Sequence, residues 1–177
     1  MTTATLIGAG VWTVDTAHTR VTFAARHLFG QTVHGTIAVT TGKIDVEPDG
    51  CPQRFHATLD PSSIDTGNPR GDRDLRGQRF LRVDVYPLME VAAARIDATG
   101  GGWRAEAVLR ARGHEAPVRV EAALDGPAAG PRLQVSGTTR LDLRAVGIRV
   151  PGFLVRRFVD VSVSAQLTRP PPGRLGS

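Results

Sequence analysis

The chain has 177 residues, 41% hydrophobic and 22% charged, which suits one self-sufficient folded domain and excludes a disordered chain. Cys51 is the only cysteine, so a disulfide scaffold and a thiolate-built zinc site are both excluded. The net charge of +5 comes almost wholly from arginine, Lys43 being the one lysine, and no apolar run approaches the ~20 residues of a membrane-spanning helix.

The arginines are scattered from Arg20 to Arg174 without a block of like charge, and aromatics make up only 5% of the chain. That pattern argues against nucleic acid as a partner and for solvated strand faces. The first basic residue is Arg20 and the apolar stretch Leu6 to Trp12 is short and broken by glycine, so no secretory leader is read and a cytoplasmic location is expected. Residues 1–11 read as an N-terminal extension, 12–168 as the domain, and 169–177 as a disordered Pro-rich tail.

Period-two alternation dominates the middle of the chain. Val21, Phe23, Ala25 and His27 share one parity between Arg20 and Leu28. Ile37 and Val39 repeat the pattern before Gly42, Pro48, Asp49 and Gly50 supply turn chemistry. Phe55, Ala57 and Leu59 form the next run, ended by Asp60-Pro61. Asn68 to Arg76 breaks the rhythm with a capping Asn, Pro69 at the first helical position and acidic residues in the first turn, which predicts a short helix. Phe80-Leu81 is expected to start a second one. Val85 to Val91 reads as a strand whose first residues include Pro87. Strands follow at Trp103 to Leu109, around Val118 and Val120, and at Leu133 and Val135, with Leu141 and Leu143 continuing the last after a kink. The cleanest alternation is Val159, Val161, Val163, Ala165 and Leu167.

About eight strands at short spacing predict an all-β fold, an antiparallel sandwich or barrel with one or two short helices between strands. A barrel of this size is either filled by side chains or holds one small ligand. Ala25, Ala57, Ala105, Ala107 and Ala165 all fall on the inward parity and favour a lined cavity, although compositional bias explains the same alanines. Catalytic constellations are wanting. His27 and His34 are spaced to face each other across a hairpin but fall short of a metal set. No GxSxG, HExxH or phosphate loop occurs, and Cys51 has no neighbouring base, so neither a catalytic nor a metal site is assigned.

The order of several motifs carries further. Trp12-Thr13-Val14-Asp15-Thr16-Ala17-His18-Thr19-Arg20-Val21-Thr22-Phe23 resembles the opening signature of the YceI-like family. His27 followed by Gly35, Ser63-Ile64-Asp65-Thr66, Arg73-Asp74-Leu75, Phe80-Leu81 and Tyr86-Pro87 are similar to that family's later segments, in order. Leu109 through Gly113-His114-Glu115-Ala116-Pro117-Val118 and Leu141 to Gly147 complete the resemblance over about residues 12–168. Two positions depart: no His precedes Leu75, and Val146 stands where an aromatic is usual.

The resemblance implies a lipocalin-like, eight-stranded antiparallel barrel that carries or stores a long isoprenoid lipid, a polyprenyl phosphate or an isoprenoid quinone, in an apolar tunnel. It implies no enzymatic activity and no cofactor beyond that lipid. The lining is expected to include Val21, Phe23, Ala25, Ile37, Val39, Phe55, Leu75, Phe80, Leu88, Leu109, Val135, Val161 and Val163, with His27 towards the head group. An enzyme acting on a molecule bound in the barrel and a ligand-free structural barrel remain as alternatives. A homodimer through Phe153-Leu154-Val155 and a transient contact with a membrane surface are the other expected partners.

Overall fold

A computed structural model describes residues 6–27, 29–149 and 155–169. Eight strands pair in chain order, every pair antiparallel, and the last returns to the first to close the barrel. They are β1 (Gly10–Arg26), β2 (Thr32–Val46), β3 (Pro52–Asp65), β4 (Met89–Ala98), β5 (Trp103–Ala111), β6 (His114–Leu124), β7 (Arg132–Asp142) and β8 (Phe158–Thr168). One helix, α1 (Pro69–Arg76), lies between β3 and β4, and a short 3-10 helix, Leu143–Val146, lies between β7 and β8.

The pleat decides which residues face inward. In β5 every odd residue from Trp103 to Ala111 is buried and every even one exposed. The outward charges pair across strands: Arg104 with Glu121 at 2.5 Å, Arg119 with Glu106 at 2.9 Å and Arg110 with Glu115 at 2.9 Å. Arg104, Arg110 and Arg119 are therefore neutralised side by side on solvated faces.

Several expected boundaries move. β1 begins at Gly10 and not near Arg20, and Ile7 before it is buried against Trp12, its backbone N–H donating to the Gly50 carbonyl at 3.1 Å. Gly42 is not a turn residue but sits inside β2, buried, because Val14 of β1 packs flat on it where a Cβ would stand. Asp60-Pro61 does not end β3. The strand continues to Asp65 through an irregularity in which Asp60 accepts from the Ser62 N–H and the Ser63 hydroxyl caps the Ala38 N–H. Residues 85–88 lie outside β4, which starts at Met89 opposite Leu59; Pro87 has no N–H to give the ladder. Phe80-Leu81 forms turns rather than a helix. β7 runs unkinked to Asp142, and Leu143 opens the 3-10 helix.

The two ends of the barrel differ. At the end holding the 47–51, 99–102 and 125–131 connections, Ile7, Trp12, Val46, Trp103, Leu133 and Leu167 form a buried plug. Trp12 Nε1 donates to the Gly8 carbonyl at 2.8 Å and the Arg169 guanidinium stacks 5.0 Å over its ring. The other end carries the 27–31 hairpin, the 66–88 connection with α1, the 112–113 turn and the 143–157 connection. There Val146 and Ile148 pack with Phe80 and Leu81 against one wall of the barrel, and the lumen still reaches the exposed Thr32, His34 and Asn68. Among those residues no helix is long and apolar enough to cross a membrane.

Candidate functional site: an apolar tunnel closed at one end

A cavity of about 1020 Å³ occupies the barrel interior. Val21, Phe23 and Ala25 of β1, Ile37 and Val39 of β2 and Phe55 of β3 line it. Leu75 of α1, Phe80, Leu109 of β5, Val135 of β7 and Val161 and Val163 of β8 complete the expected set. Leu88 does not line it: the residue precedes β4, outside the alternating ladder, and is 46% exposed. Ala57 and Ala165 also face the cavity, whereas Ala105 and Ala107 do not. Those two are buried in the wall of β4 to β6, in a cluster against which Phe55 and Phe80 also pack. Small inward side chains thus leave volume on only part of the circumference.

Glycine keeps the opposite wall thin. Gly35 of β2 lies opposite Phe23, and a Cβ there would fall within the Phe23 ring. The aromatic ring therefore lies against the strand backbone instead of projecting across the lumen. Val14 uses Gly42 in the same way further down.

At the unplugged end the lining reaches the exposed side chains of Thr32, His34, Asn68 and Asp74. Lys43 and His56, cross-strand partners lower on the flank, are exposed polar members of the lining as well. His27 is half-buried on the rim, its backbone N–H donating to the Gln31 carbonyl at 2.8 Å. His34 stands opposite Ala24, so the two imidazoles are not cross-strand partners. Among the described residues no group of three or more His, Cys, Asp or Glu is placed to hold a metal ion. Burial, with Asp49 beside it, pushes the Cys51 thiol up.

Arg112 was not legible as a site residue. Strand parity points it away from the lumen, but it occupies the first position of the two-residue β5–β6 turn with φ of 52°. That left-handed conformation, followed by Gly113 at 72°, swings the side chain towards the cavity, where Nη1 donates to the Gly147 carbonyl at 2.6 Å. Its Nε is buried without a hydrogen-bond partner. The Arg112-Gly113 pair was the available sequence signal, because Gly favours a tight hairpin turn of this kind.

The rim is braced from two sides. Asn68 caps α1, and the buried Asp72 accepts from the Thr66 N–H at 2.9 Å and its hydroxyl at 2.6 Å. Arg76 then reaches back to the Ser62 and Ile64 carbonyls at 2.8 and 3.0 Å. These bonds hold the helix so that Leu75 meets the lumen. On the far side Asp142 caps the 3-10 helix through the Arg144 N–H at 3.0 Å and receives Arg157 Nε at 2.8 Å and Nη2 at 2.5 Å. The Arg157 hydrogen bond is the main cause holding the Asp142 carboxyl below its usual range. Val155 lines the cavity, while Phe153 and Leu154, the rest of the expected dimer patch, lie outside the described residues.

Comparison with known proteins places this geometry. The YceI-like domain model matches residues 12–167. A UPF0312 protein of Vibrio cholerae is 24% identical over 166 residues, covering 89% of this chain and 87% of that protein. Protein YceI of Escherichia coli is 24% identical over 154 residues, covering 84% and 81%. Among solved structures, Burkholderia cenocepacia BcnA superposes with a TM-score of 0.77 at 16% identity, covering 86% of this chain and 98% of that one. A polyisoprenoid-binding domain from Saccharophagus degradans gives 0.65 at 11% identity, covering 90% and 98%.

Proposed function

Because the chain belongs to the YceI-like family, we propose that its cavity holds a long isoprenoid lipid and that the protein carries or stores it. The observation that carries this reading is the lumen itself: about 1020 Å³, lined by aliphatic and aromatic side chains, plugged at one end and reaching the exposed Thr32, His34 and Asn68 at the other. At ~30 Å³ per water-sized group, close to a methylene, a five-carbon isoprene unit takes about 150 Å³, so the lumen, if wholly filled, holds at most roughly seven units. Burial at ~0.8 kcal/mol per methylene gives about 4 kcal/mol gross per unit, so four or more units inside exceed an association cost of roughly 4–15 kcal/mol. The resemblance of the fold to a polyisoprenoid-binding domain supports the same class of ligand.

The tail enters first and ends against the Trp12–Trp103 plug, which leaves the head group at the rim beside Arg112 and His27. A buried N–H without an acceptor costs about 1–3 kcal/mol, and an oxygen of the lipid head group relieves that cost. A guanidinium offers two N–H groups in one plane, the geometry that suits a polyprenyl phosphate better than a quinone carbonyl. Carriage without chemistry is the simpler role for such a lumen, and the bound lipid is the only small molecule the reading requires. Transfer of a labelled polyprenyl phosphate from donor to acceptor vesicles tests it: the protein accelerates exchange if it is a carrier. Exchange at the protein-free rate, with no lipid retained by the protein, rejects the proposal.

A further inference from the structure

We infer that the arginine-rich end of the barrel is a docking surface for an anionic lipid bilayer. Folding gathers charges that are dispersed along the sequence. The described residues of the connections 27–31, 66–88, 112–113 and 143–157 lie at the open end and carry ten arginines against three aspartates. The connections at the plugged end, 47–51, 99–102 and 125–131, carry no basic residue and three acidic ones, Glu47, Asp49 and Asp125. Arg169, also at that end, is occupied by the Trp12 ring and the Ala9 carbonyl.

Most of the open-end arginines are unspent. Arg76 and Arg112 bind backbone carbonyls and Arg157 binds Asp142. Arg70, Arg73, Arg79, Arg144, Arg149 and Arg156 are exposed and form no ion pair among the described residues. Of the three aspartates, Asp72 is buried on Thr66, leaving only Asp74 and Asp84 facing outwards. The same end exposes apolar side chains. Phe29, at the tip of the β1–β2 hairpin, is 91% exposed, and Val85 and Leu88 are 47% and 46% exposed.

Cationic side chains around protruding apolar ones match the interfacial zone of an anionic bilayer: the guanidinium groups meet the head groups and the apolar tips enter the acyl boundary. A single-stranded nucleic acid would call for free aromatic platforms among the arginines, and this end offers Phe29 at a hairpin tip and Phe158, whose ring is already faced by Arg140 and Arg157. The basic connections at the open end and the acidic ones at the other favour approach of the open end to the membrane before contact. Docked so, the lumen opens onto the bilayer, and a lipid passes between the two without exposing its chain to water. That last consequence rests on the proposed isoprenoid cargo; the docking itself rests on charge and exposure alone.

Flotation of the full-length protein with vesicles is the test. Phosphatidylcholine vesicles containing about 30 mol% phosphatidylglycerol carry the protein up, pure phosphatidylcholine vesicles do not, and about 0.5 M salt releases it. The triple variant R70Q/R73Q/R79Q partitions about a hundredfold less, and Phe29→Ser about tenfold less, both with the parent's thermal midpoint. Arg104→Gln, on the barrel flank and paired with Glu121, leaves partitioning unchanged. Equal flotation with neutral vesicles, no flotation with anionic ones, unaltered flotation of the triple variant, or preferential capture of single-stranded RNA in competition overturns the docking surface. Extraction of lipid from the same preparations reads the cavity separately. Lipid retained by protein that never floats contradicts docking alone, and flotation by protein that never acquires an isoprenoid upholds docking and contradicts the cargo.

Discussion

Ala122 lines the lumen on β6, opposite Trp103 of β5 and Gly137 of β7, beside the plug. Replacing it with Phe adds a six-carbon ring there, about the volume of one isoprene unit at ~30 Å³ per carbon group. A lumen of about 1020 Å³ that holds at most roughly seven units then holds at most about six. A seven-unit chain loses the burial of its last unit, about 4 kcal/mol of gross transfer energy, while a six-unit chain loses nothing. The preference between the two chain lengths should therefore invert by at least tenfold. The assay is competition between a six- and a seven-unit polyprenyl phosphate, with the retained lipid identified by mass spectrometry. Ala107→Phe is the matched control: Ala107 is 3% exposed inside the wall and does not face the lumen, so the ring overpacks and costs about 1–3 kcal/mol of stability without changing chain preference. An Ala122→Phe protein that folds normally and keeps the parent's preference refutes a tunnel ending at Trp103.

Other perturbations separate the parts of the site. Gly35→Ala pushes the Phe23 ring off the β2 backbone and into the lumen, lowering affinity for the lipid about tenfold, and adding Phe23→Ala restores it. Asp72→Ala strips the Thr66 N–H and hydroxyl of their acceptor, costs about 1–3 kcal/mol in thermal unfolding, and speeds lipid release as α1 loosens over the rim. Asp142→Ala removes the 3-10 cap and the Arg157 pair, costing about 1 kcal/mol, or roughly 2–4 °C in midpoint, at neutral pH. Since the folded-state pKa of Asp142 is depressed, its contribution is complete above the unfolded carboxyl value near 4 and is lost as pH falls through the folded value. The parent and the variant should thus converge in strongly acidic thermal scans, and a gap that persists there contradicts the assigned role.

What the sequence revealed follows the reach of a local signal. Period-two alternation is local, so β5 and β8 were legible almost to their ends, and with them Leu109, Val161 and Val163 of the lining. Asn68-Pro69 announced α1 by its own capping chemistry. Failures occurred where tertiary contact overrules local pattern. Gly42 reads as a turn until Val14 is seen resting on it, and Asp60-Pro61 reads as a stop until Ser62 and Ser63 are seen to repair the ladder. Leu88 follows the alternation of a strand that has not yet begun, and Arg112 is aimed by a positive φ that parity does not encode. Alanine at an inward position left the choice between lumen and wall open, because the cluster that takes in Ala107 draws on β3 and on the segment after α1. The cationic end was hidden for a related reason: its arginines come from three separate connections, spread over residues 70–157, that only the closed barrel brings together.

The central claim is that an isoprenoid chain fills the lumen, and organic extraction of the purified protein followed by mass spectrometry tests it most directly. The account predicts a prenyl series, with its distribution shifted to shorter chains by about one unit in Ala122→Phe. Recovery of straight-chain acyl lipids alone, or of no lipid from protein expressed where polyprenyl phosphates are abundant, contradicts it.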